Sequence, residues 1–493
     1  MSTRLDNAAL GSLRKNVAVP TYDRSGLMPG IVHLGVGGFH RAHQAMYLDR
    51  LLSNGAATRD WAIRGVGVLE ADRAMKEALA PQNYLYTLLV KHPDGHREAS
   101  VVGSIVDYLL VPDDPRTVVE AIASPGTKIV TLTITEGGYN IDRVNGQFDV
   151  DHPDVVADLR NPELPRTVFG IVVEALRLRR QRGISPFSIL SCDNIQENGN
   201  VARSAFGAFG GALEQSFGQW ISDEVAFPNS MVDRITPVTT DADRAEVAQR
   251  YDIEDRWPVV CEPFTQWVIE DRFTLGRPPW EEAGAQLVAD VEPYELMKLR
   301  LLNASHQALC YFGYLAGYRY AHEAMADPLI KQFVADYMFN EAVPTLPPVP
   351  GVNLVAYCFE LLERFANPEI RDTLARLCTD SSDRIPKWLL PVIRHQLTTG
   401  GEITRAAAVV ASWARYAEGV DEQGKVIDIV DQCAGELRTV AAKNRMDSTA
   451  FIANRRLFGN LVDERRFVKE YVRALESLHQ QGAVETLRSL IGD

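Results

Sequence analysis

Ile31-Val32-His33-Leu34-Gly35-Val36-Gly37-Gly38-Phe39-His40-Arg41-Ala42 decides how the first half of this chain folds. Four residues of strand character run into a glycine turn, and an amphipathic stretch from Ala45 to Leu52 follows. Strand, glycine turn, helix is the setting in which a G-x-G pattern gains meaning. The glycines let the backbone approach a pyrophosphate, and the helix start stabilises its charge. The third glycine of the usual fingerprint is absent, with His40 in its place, so an ordinary tight turn stays open as the other reading. His40-x-x-His43 lacks a nearby third ligand and is not read as a metal site. With Arg41, these histidines are expected to pack around phosphates or cap the helix.

The next segment supports a dinucleotide. Trp61 to Val68 is β-like, and Glu70 and Asp72 stand just beyond it. A carboxylate at the tip of the second strand binds the adenosine ribose hydroxyls and repels the 2′-phosphate of NADP. Asp72 therefore favours NAD, although the neighbouring Arg73 offers a charge that a phosphate could use. Further strands are expected at Tyr84 to Val90, Val101 to Leu110, Lys128 to Thr135 and Phe187 to Ser191, with a helix from Thr167 to Arg182. Glu136-Gly137-Gly138-Tyr139 breaks the chain at a strand end, where open α/β sheets place ligands. Asn194 follows another strand end. It is either a helix-capping asparagine or a carboxamide donor to a reacting oxygen. Asp233-Arg234, between apolar neighbours, is either a structural ion pair or part of the cofactor side of a site. Residues 1–290 thus read as an α/β, Rossmann-type dinucleotide-binding domain.

From residue 291 the texture is mainly α-helical. Glu292-Pro-Tyr-Glu-Leu-Met-Lys-Leu-Arg-Leu-Leu-Asn-Ala-Ser-His-Gln307 opens a helix, with Pro293 and two glutamates suited to its first turn. At about 100° per residue, Asn303 falls near 140° and His306 near 80° from Lys298. An ammonium, a carboxamide and an imidazole thus share a leucine-rich face. They form either a solvated edge with one core histidine, or a proton-transfer site with Lys298 as base and Asn303 and His306 holding an oxygen. A lysine acts as base only when neutral, so its ordinary pKa near 10.4 must fall toward roughly 7 to 8. Burial and a cationic nicotinamide both push it that way. Tyr294-x-x-x-Lys298 also matches the tyrosine–lysine pair of short-chain dehydrogenases. Those enzymes carry the pair in a single domain of half this length or less, so the match is read as accidental. Later helices are expected at Leu354 to Phe365, Glu402 to Tyr416 and Glu464 to His479. Arg376, Arg384 and Lys387 form a mixed-charge cluster around Asp380-Ser-Ser-Asp383, of the kind usually found on a solvated surface.

Composition narrows the function classes. The 493 residues are 46% hydrophobic and 24% charged, as in ordinary globular proteins. A formal charge of −14 argues against nucleic-acid or anionic-membrane binding. No run approaches the roughly 20 apolar residues of a membrane span, and Met-Ser-Thr-Arg-Leu-Asp-Asn lacks an apolar signal core. The six cysteines are scattered singly, which suggests neither disulfides nor structural zinc. A reducing cytoplasm and a monomer acting on a small molecule are expected.

Gly35-x-Gly37-x-Phe39-x-Arg41, Val232-Asp233-Arg234-Ile235-x-Pro237 and Lys298-x4-Asn303-x2-His306 together resemble the polyol-specific long-chain dehydrogenases. The similarity extends over nearly the whole chain, including Thr133-Ile-Thr-Glu-Gly-Gly-Tyr139 and Trp257-Pro-Val-Val-Cys-Glu-Pro263. It implies a Rossmann-type domain, a mainly helical second domain, and metal-independent, NAD-linked interconversion of a polyol and a ketose, mannitol and fructose foremost. It implies Lys298 as general base, Asn194 and Asn303 as the oxyanion-binding pair, and His306 as the group orienting substrate. Asp233 would stand near the nicotinamide and Arg376 near the sugar hydroxyls. Two departures from the family pattern stand out. Ala71 replaces an acidic residue before Asp72, and Arg384 replaces a lysine, bringing a planar fork to its substrate contacts. Arabinitol or sorbitol oxidation, hexuronate reduction using Arg384 or Lys387, and a catalytically silent NAD sensor remain as alternatives.

Overall fold

The computed structural model describes residues 2–141 and 147–492, and the chain divides into two compact units, Met1–Val291 and Glu292–Asp493. The first is organised on a five-stranded sheet of β1 (Pro29–Leu34), β2 (Ala62–Gly67), β3 (Ile105–Leu110), β4 (Ile129–Leu132) and β5 (Ser188–Ser191). Every pairing is parallel, and the order is β3-β2-β1-β4-β5. The chain runs outward from β1 to one edge, then returns to β4 on the other side. That reversal leaves a crevice at the carboxyl ends of β1 and β4, the place where such sheets bind ligands.

Both faces of this sheet are covered, which explains its apolar strands. Side chains alternate along a strand. Val32, Leu34, Val66, Val130 and Leu132 therefore enter one core with helices Pro115–Ala123 and Val168–Gln181, whereas Ile31, Ile63, Ile105 and Ile129 enter another with helix Gln44–Asn54. Thr167 starts its helix as expected, its hydroxyl accepting the Gly170 amide at 3.0 Å.

The expected single strand Val101 to Leu110 is two strands in different sheets. Arg97–Val102 pairs antiparallel with Tyr86–Lys91, which also pairs with Val259–Cys261; β3 belongs to the main sheet. The break falls at Gly103. Its amide donates to Asp49 Oδ1 at 2.7 Å, and a Cβ there would lie 2.8 Å from Pro20. Apolar residues on both sides hide this break from a periodicity reading. β6 (Ser230–Asp233) runs antiparallel to Gln266–Glu270 in a third small sheet.

Helices Ala304–Leu315 and Thr404–Tyr416 are buried almost all round and form the centre of the second unit. The start of Thr404–Tyr416 is satisfied from a distance. Buried Glu341 accepts the Arg405 and Ala406 amides at 2.7 and 2.8 Å, and burial pushes its carboxyl up to about 7. The helix expected to end at His479 runs on from Arg465 to Ile491, turning at Gly482.

Candidate active site

The turn after β1 requires glycine at Gly35. Its φ is +95°, and a Cβ would sit 2.1 Å from the Thr133 carbonyl oxygen. The short helix that follows, Gly38–Ala42, is pinned by its neighbours. Arg234 donates to the Ala42 carbonyl at 2.6 Å and the Glu262 carbonyl at 3.0 Å, while the Tyr86 hydroxyl donates to the Arg41 carbonyl at 2.7 Å. Arg234 therefore holds the end of this helix in place through main-chain oxygens, a role its neighbours in sequence do not reveal. Asp233 closes β6 beside it.

The histidines of this turn are core groups. The His33 and His40 rings stack with centroids 3.4 Å apart, and His33 Nδ1 lies 2.7 Å from the Thr131 hydroxyl. Burial lowers the pKa of His33 to about 3 and holds that of His40 well below its usual value. Neutral imidazoles bring no positive charge to a phosphate, so any part His33 and His40 play there is one of packing. His43 turns elsewhere, its Nε2 lying 2.9 Å from the Gln266 carbonyl and its ring stacked on Phe39.

Beyond β2, Asp72 Oδ2 accepts the Val68 and Leu69 amides at 2.8 and 2.9 Å. The loop is thereby folded around this carboxylate. The guanidinium of Arg73 is bracketed by Glu70 and by Asp113, the latter at 2.8 Å. Arg73 holds the Glu70 carboxyl below its usual range, and Lys76 with Arg73 does the same to Asp113. A balanced Arg73 has little to offer a 2′-phosphate, which favours NAD. A parallel sheet of this order, a glycine turn at β1 and a carboxylate past β2 together fit a dinucleotide.

At the end of β5, Asn194 is not the helix cap. The first amides of helix Asn198–Leu213 go to Asn229 Oδ1, at 2.9 and 3.2 Å. A neighbouring feature escaped the sequence reading. Thr135 has φ 63° and ψ 166°, a region that costs a side-chain-bearing residue about 1–3 kcal/mol. Asp193 fixes it, accepting the Thr135 amide at 2.8 Å and the Tyr139 hydroxyl at 2.9 Å. Burial pushes the Asp193 carboxyl up to about 6. Only the Glu136-Gly137-Gly138 break hinted at this arrangement.

In the second unit, the helix holding Lys298 is not a regular α-helix. Glu292–Met297 is α-helical, Lys298–Asn303 forms a π-helical turn, and α geometry resumes over Ala304–Leu315. The Ala304 amide bonds the Leu299 carbonyl, five residues back. A turn of this kind spends about 4.4 residues per revolution, so Asn303 lies only about 50° from Lys298 and His306 close to it. The sector of about 140° given by regular helical spacing narrows to roughly 60°. Lys298, Asn303 and His306 are 7%, 6% and 8% exposed, which removes the solvated-edge reading. Asn303 Oδ1 is buried without a hydrogen-bond partner among the described residues, leaving its acceptor capacity unused. The His306 ring packs on Phe365 with centroids 4.5 Å apart, and the Tyr337 hydroxyl donates to the Arg300 carbonyl inside the wide turn at 3.1 Å.

The Tyr294 hydroxyl donates to the Pro350 carbonyl at 2.8 Å, so it serves the fold. Tyr294→Phe is expected to retain most turnover, within about threefold, because it removes one hydrogen bond worth about 1 kcal/mol. Steady-state kinetics check this, and a loss comparable to that of Lys298→Ala would restore the tyrosine to the chemistry. Arg376 lies on the short helix Leu374–Leu377, its guanidinium bidentate on Asp372 with Nε at 2.6 Å. This helix packs on the one carrying His306, where Gln307 Nε2 donates to the Leu377 carbonyl at 3.2 Å. Arg384 Nη1 reaches the Arg376 and Leu377 carbonyls at 3.4 Å, with its guanidinium near the Trp388 ring.

Comparison with known proteins joins the two units. Residues 29–282 match the mannitol dehydrogenase Rossmann domain, and residues 290–479 the mannitol dehydrogenase C-terminal domain. A mannitol 2-dehydrogenase of Phaeosphaeria nodorum is 45% identical over 98% of this chain and 85% of its own length. A mannitol dehydrogenase of Saccharomyces cerevisiae is 44% identical over 99% of this chain and 98% of its own. Among solved structures, Pseudomonas fluorescens mannitol 2-dehydrogenase, in a ternary complex with NAD and D-mannitol, is 44% identical with a TM-score of 0.91 over the whole of both chains. A D-sorbitol dehydrogenase in substrate-free form is 36% identical with a TM-score of 0.90, covering 98% of this chain and 100% of that one.

Proposed function

Because this chain belongs to the mannitol dehydrogenase family, we propose that it interconverts D-mannitol and D-fructose with NAD, using Lys298 as general base. What supports the reading is the wide helical turn, whose spacing would bring the buried amine, carboxamide and imidazole onto one narrow face. The main chain at Gly35 and Gly37 and the Asp72 carboxylate would hold NAD, with Asp233 on its nicotinamide side. Bound there, NAD supplies the acceptor for the hydride leaving the alcohol carbon.

The chain's own groups manage the proton and the developing charge. The Lys298 amine, neutral before the step, takes the hydroxyl proton and ends as an ammonium. The Asn194 and Asn303 carboxamides donate hydrogen bonds to the oxygen as it becomes an alkoxide. Such donors strengthen as charge develops, each worth about 10²–10³ in turnover. His306 orients the alcohol, and Arg376 and Arg384 lie toward its remaining hydroxyls. In the reverse direction Lys298 returns its proton to the oxygen of the ketose.

A substrate panel tests this reading. With NAD(H), mannitol oxidation and fructose reduction are expected to exceed the rates with arabinitol, sorbitol and fructuronate by at least tenfold in kcat/KM. NADP(H) is expected to serve at least tenfold less well, because the Asp72 carboxylate repels a 2′-phosphate and Arg73 is already paired with Glu70 and Asp113. Preference for sorbitol would move the chain beside the D-sorbitol dehydrogenase it also resembles. Preference for fructuronate would put a cation, Arg384 or Lys387, on the substrate carboxylate.

A further inference from the structure

A second cluster of chemistry-bearing side chains lies at the tip of the hairpin formed by Tyr86–Lys91 and Arg97–Val102. Its turn reads His92-Pro-Asp-Gly-His96. The His92 amide bonds the His96 carbonyl at 3.1 Å, the Gly95 amide bonds the His92 carbonyl at 3.0 Å, and Gly95 takes φ +85°. Asp94 is committed to the turn, accepting the His96 amide at 2.9 Å. Register pairs Lys91 with Arg97 and Val90 with Glu98. Alternation of side chains then sends Lys91 and Arg97 to one face of the ribbon and His92, His96 and Glu98 to the other.

The two faces differ in what they meet. Lys91 bonds Asp243 at 2.6 Å and Arg97 bonds Glu246 at 2.9 Å, both on helix Asp241–Tyr251. These ion pairs, with side chains only about a tenth exposed, clamp the ribbon from behind. On the front face, one ligand atom each from His92, His96 and Glu98 lies within 4.8 Å of the others. His92 Nε2 is 3.1 Å and His96 Nε2 3.8 Å from the same Glu98 oxygen. Despite that closeness, His92 Nε2 is buried and makes no hydrogen bond, so its N–H direction does not meet the carboxylate. Donors about 2.0–2.2 Å from a tetrahedral ion stand about 3.3 Å from one another, a separation these two distances bracket.

We propose that His92, His96 and Glu98 form a binding site for a divalent late transition-metal ion of the zinc class, with water in the fourth position. Two imidazoles and one carboxylate are an established ligand set for that class, and the clamped ribbon limits the ordering cost. The site is separate from the proposed polyol chemistry and does not depend on it.

Zinc alone is the probe. Chain freed of metal by a chelator is dialysed against micromolar Zn²⁺ and its metal content measured beside His96→Ala, Glu98→Gln and a variant lacking both histidines. Wild type is expected to retain about one more ion per chain than the double-histidine variant, and each single change to weaken binding at least tenfold. Zinc-edge absorption should report nitrogen and oxygen neighbours at about 2.0–2.2 Å. Melting temperatures without zinc, expected to match wild type, establish that the variants fold. Equal zinc retention by wild type and the double-histidine variant would overturn the site, as would a zinc shell of sulfur donors.

Discussion

Lys298→Ala is expected to lower polyol oxidation by about 10³-fold or more while leaving NADH binding within about twofold, because a positioned base contributes about 10²–10⁴ and cannot be replaced by water at the same place. One feature makes this loss specific, and a second calls for a control. The amine belongs to the second unit, whereas the glycine turn and Asp72 belong to the first, so the groups expected to hold the nucleotide are not the ones altered. Lys298 is also buried, so truncation to alanine leaves a void that could disturb Asn303 and His306. Lys298→Met separates the two effects by keeping most of the stem volume without the amine. Both variants should lose the same activity if proton transfer is what disappears. Initial rates with mannitol and NAD, together with NADH fluorescence titration, check this. Methionine at 298 giving turnover within tenfold of wild type would remove Lys298 from the chemistry.

The placement of that lysine shows what a sequence discloses and what it withholds. Pro293 and the glutamates announce the helix, and the leucines around Lys298 announce its burial. The wide turn has no such marker. Lys-Leu-Arg-Leu-Leu-Asn is ordinary helical composition, and only tertiary partners, among them Tyr337 on the Arg300 carbonyl, distinguish its backbone. Regular spacing therefore spreads the three polar groups over more than a third of a turn, which ideal spacing through the wide turn narrows to less than a fifth. Four strands of the parallel sheet were legible because each is short, β-like and followed by a recognisable turn. The break at Gly103 was not, since a glycine between two β-like runs reads equally well as a bulge. His40 and His43 drew attention as polar residues near a phosphate turn, yet their neighbours in space, His33 and Phe39, make them core. Asp193 passed unnoticed because its partner Thr135 is 58 residues away in sequence.

Gly35 and Gly37 offer a test that separates a cofactor cradle from an ordinary tight turn. Gly35→Ala is expected to destabilise the first unit by about 3 kcal/mol or more, since it forces a Cβ into left-handed backbone and against a main-chain oxygen that cannot move freely. That oxygen belongs to Thr133, whose hydroxyl in turn donates to the Gly35 carbonyl at 2.7 Å, so both sides of the contact are fixed. Such a loss says only that the turn is tight. Gly37 is different. Its φ is −106°, and a Cβ there would meet nothing nearer than the Gly35 carbonyl oxygen at 3.9 Å. The protein itself thus has room for Gly37→Ala, and its melting temperature is expected to stay within about 3 °C of wild type, a shift corresponding to less than about 1 kcal/mol. A pyrophosphate brought against the main chain has no such room, so the same methyl group is expected to weaken NADH binding at least tenfold. Calorimetric melting and NADH titration of the two variants decide the matter. Wild-type NADH affinity in a well-folded Gly37→Ala protein would mean that the turn shapes the sheet edge alone, and the dinucleotide would have to be held elsewhere.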